Sequence, residues 1–418
     1  MEFSNQPQVI VLCGLILLVT VLWMIFRVHA KSKKSNYTPP EPAGAWPIIG
    51  HLHLLGANKL LHHLFGDMAD KLGPIFSLKL GTHKTLVVSS WEIARECFTE
   101  QDRVLSGRPR SLAVKIMGYD HEMIGFLPIG TKWRNLRKLV MVELLSNRRL
   151  DQLKHIPESE VDLFIKGLYQ IWKSKGEKSM PVVELTERFR DLSMNIVVRM
   201  VAGKRYFGNG GYENEESRRF QKASEDFLHL IGLFMVSDAV PLFGWIDSLS
   251  GYKGRMKKTA KDIDHVLEGW INEHHQKRKL SCINESEQDF MHVMLSIMES
   301  DPDAQISDTS IKATCLSLLL GGYDTTLVTL TWAVSLLLNN RHVLGKVQDE
   351  LEKHIGRDRQ VKESDVLHLT LAQLLHGFEL GTASDLPIDM TEGPGLTNPK
   401  ATPLEVTIRP RLAPSLYV

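Results

Sequence analysis

Hydrophobic positions divide the chain into stretches of different period. Val9 to Phe26 (VIVLCGLILLVTVLWMIF) carries no charge in 18 residues. A helix of that length rises about 27 Å, close to the thickness of a bilayer's hydrocarbon layer. Arg27, Lys31, Lys33 and Lys34 follow at once, and only Glu2 precedes. The positive flank belongs on the cytosolic side, so the body of the chain is expected there. A cleaved signal peptide would carry its positive charge before the run and small residues after it. Pro39, Pro40, Pro42 and Pro47 then stop the helix and stiffen the exit. Ile75 to Ser90 alternates on either side of Gly81-Thr82 and predicts a β-hairpin, whereas Trp91 to Phe98 has helical spacing. From Lys132 to Ile297 the pattern is mostly helical, with breaks at Gly203, the Gly208–Gly211 cluster, Pro241 and Gly251. Leu404 to Ile408 reads as a short terminal strand. No internal repeat occurs, which excludes a solenoid or propeller. The expected fold is mainly α with a small β portion, preceded by one transmembrane helix.

Ala313 to Leu338 (ATCLSLLLGGYDTTLVTLTWAVSLLL) is apolar nearly all round and belongs in a core or in lipid. Its middle nevertheless holds Gly321, Gly322, Asp324, Thr325 and Thr326. Each glycine costs about 1 kcal/mol relative to alanine in a helix interior. An unpaired carboxylate in apolar surroundings costs several more. Stability given up in this way points to function. Paired glycines would bare one helix surface to a flat ligand, threonine hydroxyls would bond back to helix carbonyls, and an acid beside a hydroxyl would relay protons. A second transmembrane helix with a small-residue face has the mid-span Asp324 against it. A core helix with a glycine kink and an Asp satisfied by neighbours fits the spacing equally well.

Composition narrows the classes. Lys+Arg number 50 and Asp+Glu 49 in 418 residues, a formal charge of +1. Such a chain has no global pull toward nucleic acid. With 43% hydrophobic and 24% charged residues it is ordinary globular material and not a disordered chain. Its four cysteines, Cys13, Cys97, Cys282 and Cys315, form no CxxC pair, which disfavours zinc ribbons, iron–sulfur loops and disulfide scaffolds. Asn36 and Asn284 stand in glycosylation patterns that would stay unmodified on the cytosolic side. The basic runs at Lys253–Lys258 and Lys277–Lys279 read as solvated helix faces, or as docking sites for an acidic partner or anionic lipid. Trp133 and Arg137 lie four apart and share one helix face, where an indole N–H and a guanidinium can meet one anionic group; an amphipathic helix with an exposed arginine has the same spacing.

The run Gly321-Gly322-Tyr323-Asp324-Thr325-Thr326 resembles the oxygen-binding helix motif of cytochromes P450. The anchor followed by PPEPAGAWPIIGHLHLL, the hairpin region IFSLKLGTHKTLVVSSWEIARECF, KWRNLRK followed by ELLSNRRL, and the ending MTEGPGLTNPKATPLEV agree, in order, over almost the whole chain. Together they resemble a plant microsomal cytochrome P450 of the family-82 type, the group containing nicotine demethylases and hydroxylases of alkaloids, terpenoids and phenolics. The resemblance implies a cytochrome P450 fold, here incomplete, and a heme cofactor. It implies insertion of one oxygen atom from dioxygen into a small apolar substrate. It also implies electrons from an NADPH-cytochrome reductase on the same lipid bilayer, with the domain on the cytosolic face of the endoplasmic reticulum. By the same resemblance Trp133 and Arg137 hold a heme propionate, and Gly321 and Gly322 let the helix pass close to the heme. Asp324 and Thr325 are the acid–alcohol pair that delivers protons, and Thr326 is the usual second threonine.

The family's iron ligand is a cysteine thiolate near the C-terminus, in a Gly/Arg-rich loop after a Phe. No cysteine follows Cys315, so no residue is assigned as a metal ligand. Nor does the family's Glu-x-x-Arg spacing occur after Leu338; it occurs at Glu92/Arg95 and Glu187/Arg190. GRDRQVKESDVL, up to about Leu367, resembles the approach to that helix, and LAQLLHGFELGTASDLPIDM, from about Leu371, resembles the segment after the cysteine loop. An internal block is therefore expected to be absent around His368–Thr370, with His368 and His376 the nearest imidazoles. The expected plan is an anchor over 1–30, a basic and Pro-rich linker over 31–50, a catalytic-type domain over 51–370 and its C-terminal part over 371–418. Function is expected to be that of a heme-thiolate monooxygenase, rendered inactive by the missing ligand. A non-catalytic anchored remnant and a two-span membrane protein are the rivals.

Overall fold

A computed structural model describes residues 38–55, 60–176, 179–208, 215–233, 235–280, 288–300, 306–365, 369–384 and 386–417, with Gly14, Leu17, Leu18, Thr20 and Val21 before them. Those five are helical and exposed. The rest of the expected anchor, Asn36, Cys13, Cys282, Asn284 and His368 lie outside the described residues. The chain divides into two compact units. One holds residues up to Ser106 together with Val236–Trp245, and the other holds Gly107–Met235 and Ile246–Val418.

The first unit is built on the expected hairpin. After helix α1 (Leu61–Leu72), strands β1 (Ile75–Leu80) and β2 (His83–Val88) pair antiparallel from Ile75↔Val88 to Leu80↔His83. Gly81 makes the turn with φ +62, and a Cβ there would lie 2.2 Å from the Ala239 carbonyl oxygen, so the position admits only glycine. Thr82 donates its N–H to that same carbonyl at 2.9 Å. Helix α2 (Trp91–Phe98) follows, its first turn closed by the Ser90 hydroxyl accepting from Ile93 N–H. Its boundaries are those the spacing predicts. Trp46, Ile48, Trp91, Phe98, Leu242 and Trp245 of this unit are each more than half exposed.

The second unit is mainly helical: α3 (Leu112–Met117), α4 (Thr131–Glu143), α5 (His155–Lys175), α6 (Leu185–Ala202), α7 (Glu215–Ile231), α8 (Tyr252–Lys279), α9 (Phe290–Ser300), α10 (Asp308–Asn339), α11 (Arg341–Ile355) and α12 (Leu369–Gly377). Gly203, with φ +65, ends α6, and Gly251 precedes α8. A small sheet orders β3 (Val182–Glu184), β5 (Glu405–Pro410) and β4 (Phe378–Thr382), with β5 central and both pairings antiparallel. In β5, Val406 and Ile408 are buried while Glu405 and Arg409 point out, the period-two alternation of a half-buried strand. β4 follows α12 directly, a strand the local pattern did not predict.

Helix α10 runs 32 residues, about 48 Å, and packs along α6. It is the one unbroken helix among the described residues long and apolar enough to cross a membrane, yet half of its most apolar window is buried inside the protein. It acts as a core helix. Ser307 caps it by accepting from Ser310 N–H. Hydroxyls along it bond back one turn: Thr314 to Ser310 O, Thr325 to Gly321 O, Thr326 to Gly322 O, Thr331 to Leu327 O and Ser335 to Thr331 O, all at 2.7–2.8 Å. That is how polar side chains enter an apolar helix without unpaired groups. Residues Ile311 to Tyr323 belong to one hydrophobic core, and Leu327 to Leu338 to a second. The Gly-Gly-Tyr-Asp stretch occupies the seam between them.

Candidate functional site

The two glycines of α10 face different surroundings. A Cβ on Gly321 would meet nothing within 4 Å, whereas one on Gly322 would lie 2.9 Å from Val197 Cγ2 of α6. Gly322 is thus a packing glycine, and Gly321 alone bares the helix to open space. Gly321, Thr325 and Thr329 stand four apart on one stripe and are exposed, joined by back-bonds of 2.7 Å from each threonine to the preceding turn. Thr326 is exposed beside them, and Leu336, farther along, is half exposed.

Asp324 points elsewhere. It lines a cavity of about 340 Å³ together with Arg190, Glu225, His229 and residues 394–397 and 399–403. Thr397 Oγ1 donates to Asp324 Oδ2 at 2.6 Å. Burial raises the carboxyl above the usual aspartate range, and the Thr397 hydroxyl and the Arg190 charge only partly offset it. Arg190 in turn lies 3.4 Å from Glu225. The acid and the alcohol expected to act as a pair therefore make separate bonds, one into the cavity and one on the open stripe. Three tie points hold the segment after β4 along α10. Besides Thr397, Trp332 Nε1 donates to Asn398 O at 3.0 Å, and Asn339 exchanges two bonds with Ile388. Sequence reasoning missed Thr397, which lies 73 residues from its partner and has no local signal.

Trp133 and Arg137 do share one face of α4, with the guanidinium 5.1 Å from the indole centroid. The indole N–H donates to Ile124 O at 3.1 Å, and Ile124 N–H donates to Ser317 Oγ at 3.2 Å. This chain of bonds ties α4 to α10 one turn before Gly321. Arg137 is exposed, its guanidinium lying over the Trp133 ring.

A heme at this site would need an open helix surface, a cation for its propionates and a donor to its iron. Gly321 and Arg137 offer the first two, although the Trp133 N–H is already committed to Ile124 O. For the third, the described cysteines and the imidazole nearest the break offer nothing. Cys315 is fully buried in the core, and burial pushes its thiol up. Cys97 belongs to the first unit. His376, whose expected neighbourhood is the break, is buried with Nε2 bound to Gly356 O at 2.7 Å, and burial lowers its pKa. The described residues do not fit a complete heme site.

Residues 39–375 match the family model described as cytochrome P450. Xanthotoxin 5-hydroxylase of Arabidopsis thaliana is 40% identical over 517 aligned positions, covering 96% of this chain and 99% of that protein. Strychnine-10-hydroxylase of Strychnos nux-vomica is 40% identical over 529 positions, covering all of both. A chain of 418 residues leaves at least 99 of 517 positions without a residue of its own (517 − 418 = 99). Protopine 6-monooxygenase of Eschscholzia californica is 41% identical over 368 positions, which cover 86% of this chain, about 360 residues, and 70% of that protein. That shorter match is nearly free of gaps, so the deficit lies outside it.

Proposed function

The chain belongs to the cytochrome P450 family, in its plant 82 branch, and from that premise we propose that it is a membrane-anchored, non-catalytic form of a plant secondary-metabolite hydroxylase. Heme is the cofactor of the family, held in its oxygen-splitting state by a cysteine thiolate. One observation carries the reading: no thiol follows Cys315, and Cys315 itself is sealed in the core two turns upstream of Gly321. The at least 99 positions without a residue support the loss of an internal block, which the sequence on either side locates at residues 368–370. With that block go the iron ligand and the elements that would cover the open stripe of α10.

The counterpart that retains the block is a monooxygenase acting on a small secondary metabolite, the class named by xanthotoxin, strychnine and flavonoids in its relatives. In it Trp133 and Arg137 are the proposed propionate contacts, Gly321 and Gly322 the close-approach residues, and Asp324 and Thr325 the proton-relay pair. The anchor at residues 9–26 and the exposed Trp46, Ile48, Leu242 and Trp245 of the first unit support a seat on the endoplasmic reticulum membrane, where the reductase resides.

The test is the reduced, carbon monoxide-bound difference spectrum of the full chain expressed with its anchor. We expect no thiolate-type Soret band. Such a band would overturn the reading, and a histidine-type band would overturn the absence of an iron donor. Inserting the corresponding segment of strychnine-10-hydroxylase between Leu367 and Leu371 is expected to restore the thiolate band. In that restored chain, Thr325→Ala is expected to separate oxygen consumption from product formation.

A further inference from the structure

Three polar side chains meet inside the second unit. His274, in the last turns of α8, and Asp289 and His292, at the start of α9, are all buried. His274 Nε2 lies 2.9 Å from Asp289 Oδ2, and His292 Nδ1 lies 3.3 Å from Asp289 Oδ1. One ring nitrogen of each histidine and one carboxylate oxygen all fall within 4.8 Å of one another. The two rings converge, with centroids 4.5 Å apart and planes at 59°. Gly203 makes room for the carboxylate: a Cβ there would lie 2.9 Å from Asp289 Oδ2.

Proton positions follow from the partners. His274 Nδ1 sits 2.7 Å from Trp270 O, and an imidazole approaches a carbonyl that closely only by donating. In the neutral ring, Nε2 then carries a lone pair aimed at a carboxylate oxygen. Two lone pairs at 2.9 Å require a cation between them, either a proton or a metal ion. A proton on His274 would satisfy Asp289 without help. The His292 ring would then be held only by Nδ1 at 3.3 Å from Asp289 Oδ1, a long contact, with its Nε2 left unpartnered. A metal ion engages both rings through one nitrogen each. It takes both imidazoles and the carboxylate as ligands, while Nδ1–H of His274 on Trp270 O is the outer bond that orients a ligating histidine. Ligand atoms on a tetrahedral zinc stand roughly 3.3 Å apart, from bonds of about 2.0–2.1 Å. The 2.9 and 3.3 Å contacts run to the two different oxygens of Asp289, and the three ligand atoms, all within 4.8 Å of one another, would close together on one ion.

We propose that His274, Asp289 and His292 form a binding site for a divalent transition-metal ion of the zinc class, pinning the end of α8 to the start of α9. Two histidines and one carboxylate are borderline ligands suited to zinc or cobalt and unsuited to calcium or magnesium. The site shares no residue with the Gly321 stripe and needs no heme.

The full chain, purified in detergent and stripped with EDTA, is titrated with Zn2+ against a chromophoric chelator and, separately, with Co2+. The expected result is one tightly held zinc per chain, and an intense visible cobalt spectrum of a four-coordinate ion. His292→Gln is expected to weaken zinc binding at least tenfold, as loss of a first ligand exceeds the 10–100-fold cost of an outer partner. His62→Gln/His63→Gln, a surface control, is expected to leave it unchanged. No stoichiometric uptake by the unmodified chain would overturn the proposal, whatever the variants do. So would a zinc ion held equally well by His274→Gln and His292→Gln, or a six-coordinate cobalt spectrum.

Discussion

Gly321 and Gly322 are neighbours with opposite surroundings, so replacing each by alanine separates ligand-facing space from packing. Neither has a positive φ, so alanine is admissible in the backbone at both. At Gly321 the new Cβ meets nothing within 4 Å. The variant gains the helix propensity of alanine, about 1 kcal/mol. At Gly322 the same gain is opposed by Val197, whose Cγ2 would lie 2.9 Å and Cγ1 3.3 Å from the new atom. Carbon atoms pack at about 3.5–4.0 Å. A valine in a helix has essentially one rotamer, so Val197 cannot swing aside and α6 must move. Overpacking of this kind costs about 1–3 kcal/mol. Gly321→Ala should therefore stabilise by about 1 kcal/mol, and Gly322→Ala should be neutral to about 2 kcal/mol destabilising. Urea unfolding of the full chain in detergent, followed by far-ultraviolet circular dichroism, reads the difference. Val197→Ala combined with Gly322→Ala should recover part of the loss, a coupling of about 0.5–3 kcal/mol. If Gly322→Ala proves as stable as Gly321→Ala, the two faces have been assigned wrongly.

Thr397→Val removes the hydroxyl on Asp324 and should cost about 1–3 kcal/mol in the same assay, with Asp324→Asn recovering part of it, since a neutral side chain tolerates the site better. Glu160 is buried and accepts from Arg199 at 2.7 Å, Arg205 at 2.8 Å and Asn195 at 3.2 Å. Arg205→Ala should destabilise by about 1–3 kcal/mol, and Arg205→Ala with Glu160→Gln should lose less than the two losses added. Glu216 gives a pH dependence. Burial raises its carboxyl, but hydrogen bonds from Tyr206 at 2.5 Å and Trp270 at 3.1 Å, with the Lys204 charge, bring it below its ordinary value of about 4.5. The unfolded chain binds this proton first, so the stabilisation is complete above about pH 4.5 and is lost as pH falls through the lower, folded value. Thermal melting of Glu216→Gln should accordingly depend less on pH across that window, and an equal slope would remove Glu216 from the account.

What the sequence determined by itself is what depends on neighbours within a turn or two. The hairpin follows from alternation about Gly81, helix α2 from its spacing, and β5 from the alternation of Val406 and Ile408. The back-bonding threonines of α10 were legible because a hydroxyl reaches the carbonyl one turn before it whatever the tertiary context. The family's motifs were legible for the same reason, as was the want of a thiol beyond Cys315. Only tertiary packing decided which glycine is open, because that depends on where Val197 of another helix falls. It also decided that Asp324 turns toward Thr397 and away from Thr325, since a residue 73 positions distant supplies the bond that holds it. The His274–Asp289–His292 cluster belongs to this second kind: two helices joined through residues 281–287 bring its ligands together, and no spacing announces it. Local geometry is written into successive residues by the backbone, whereas the partner of a side chain is chosen by the path of the whole chain.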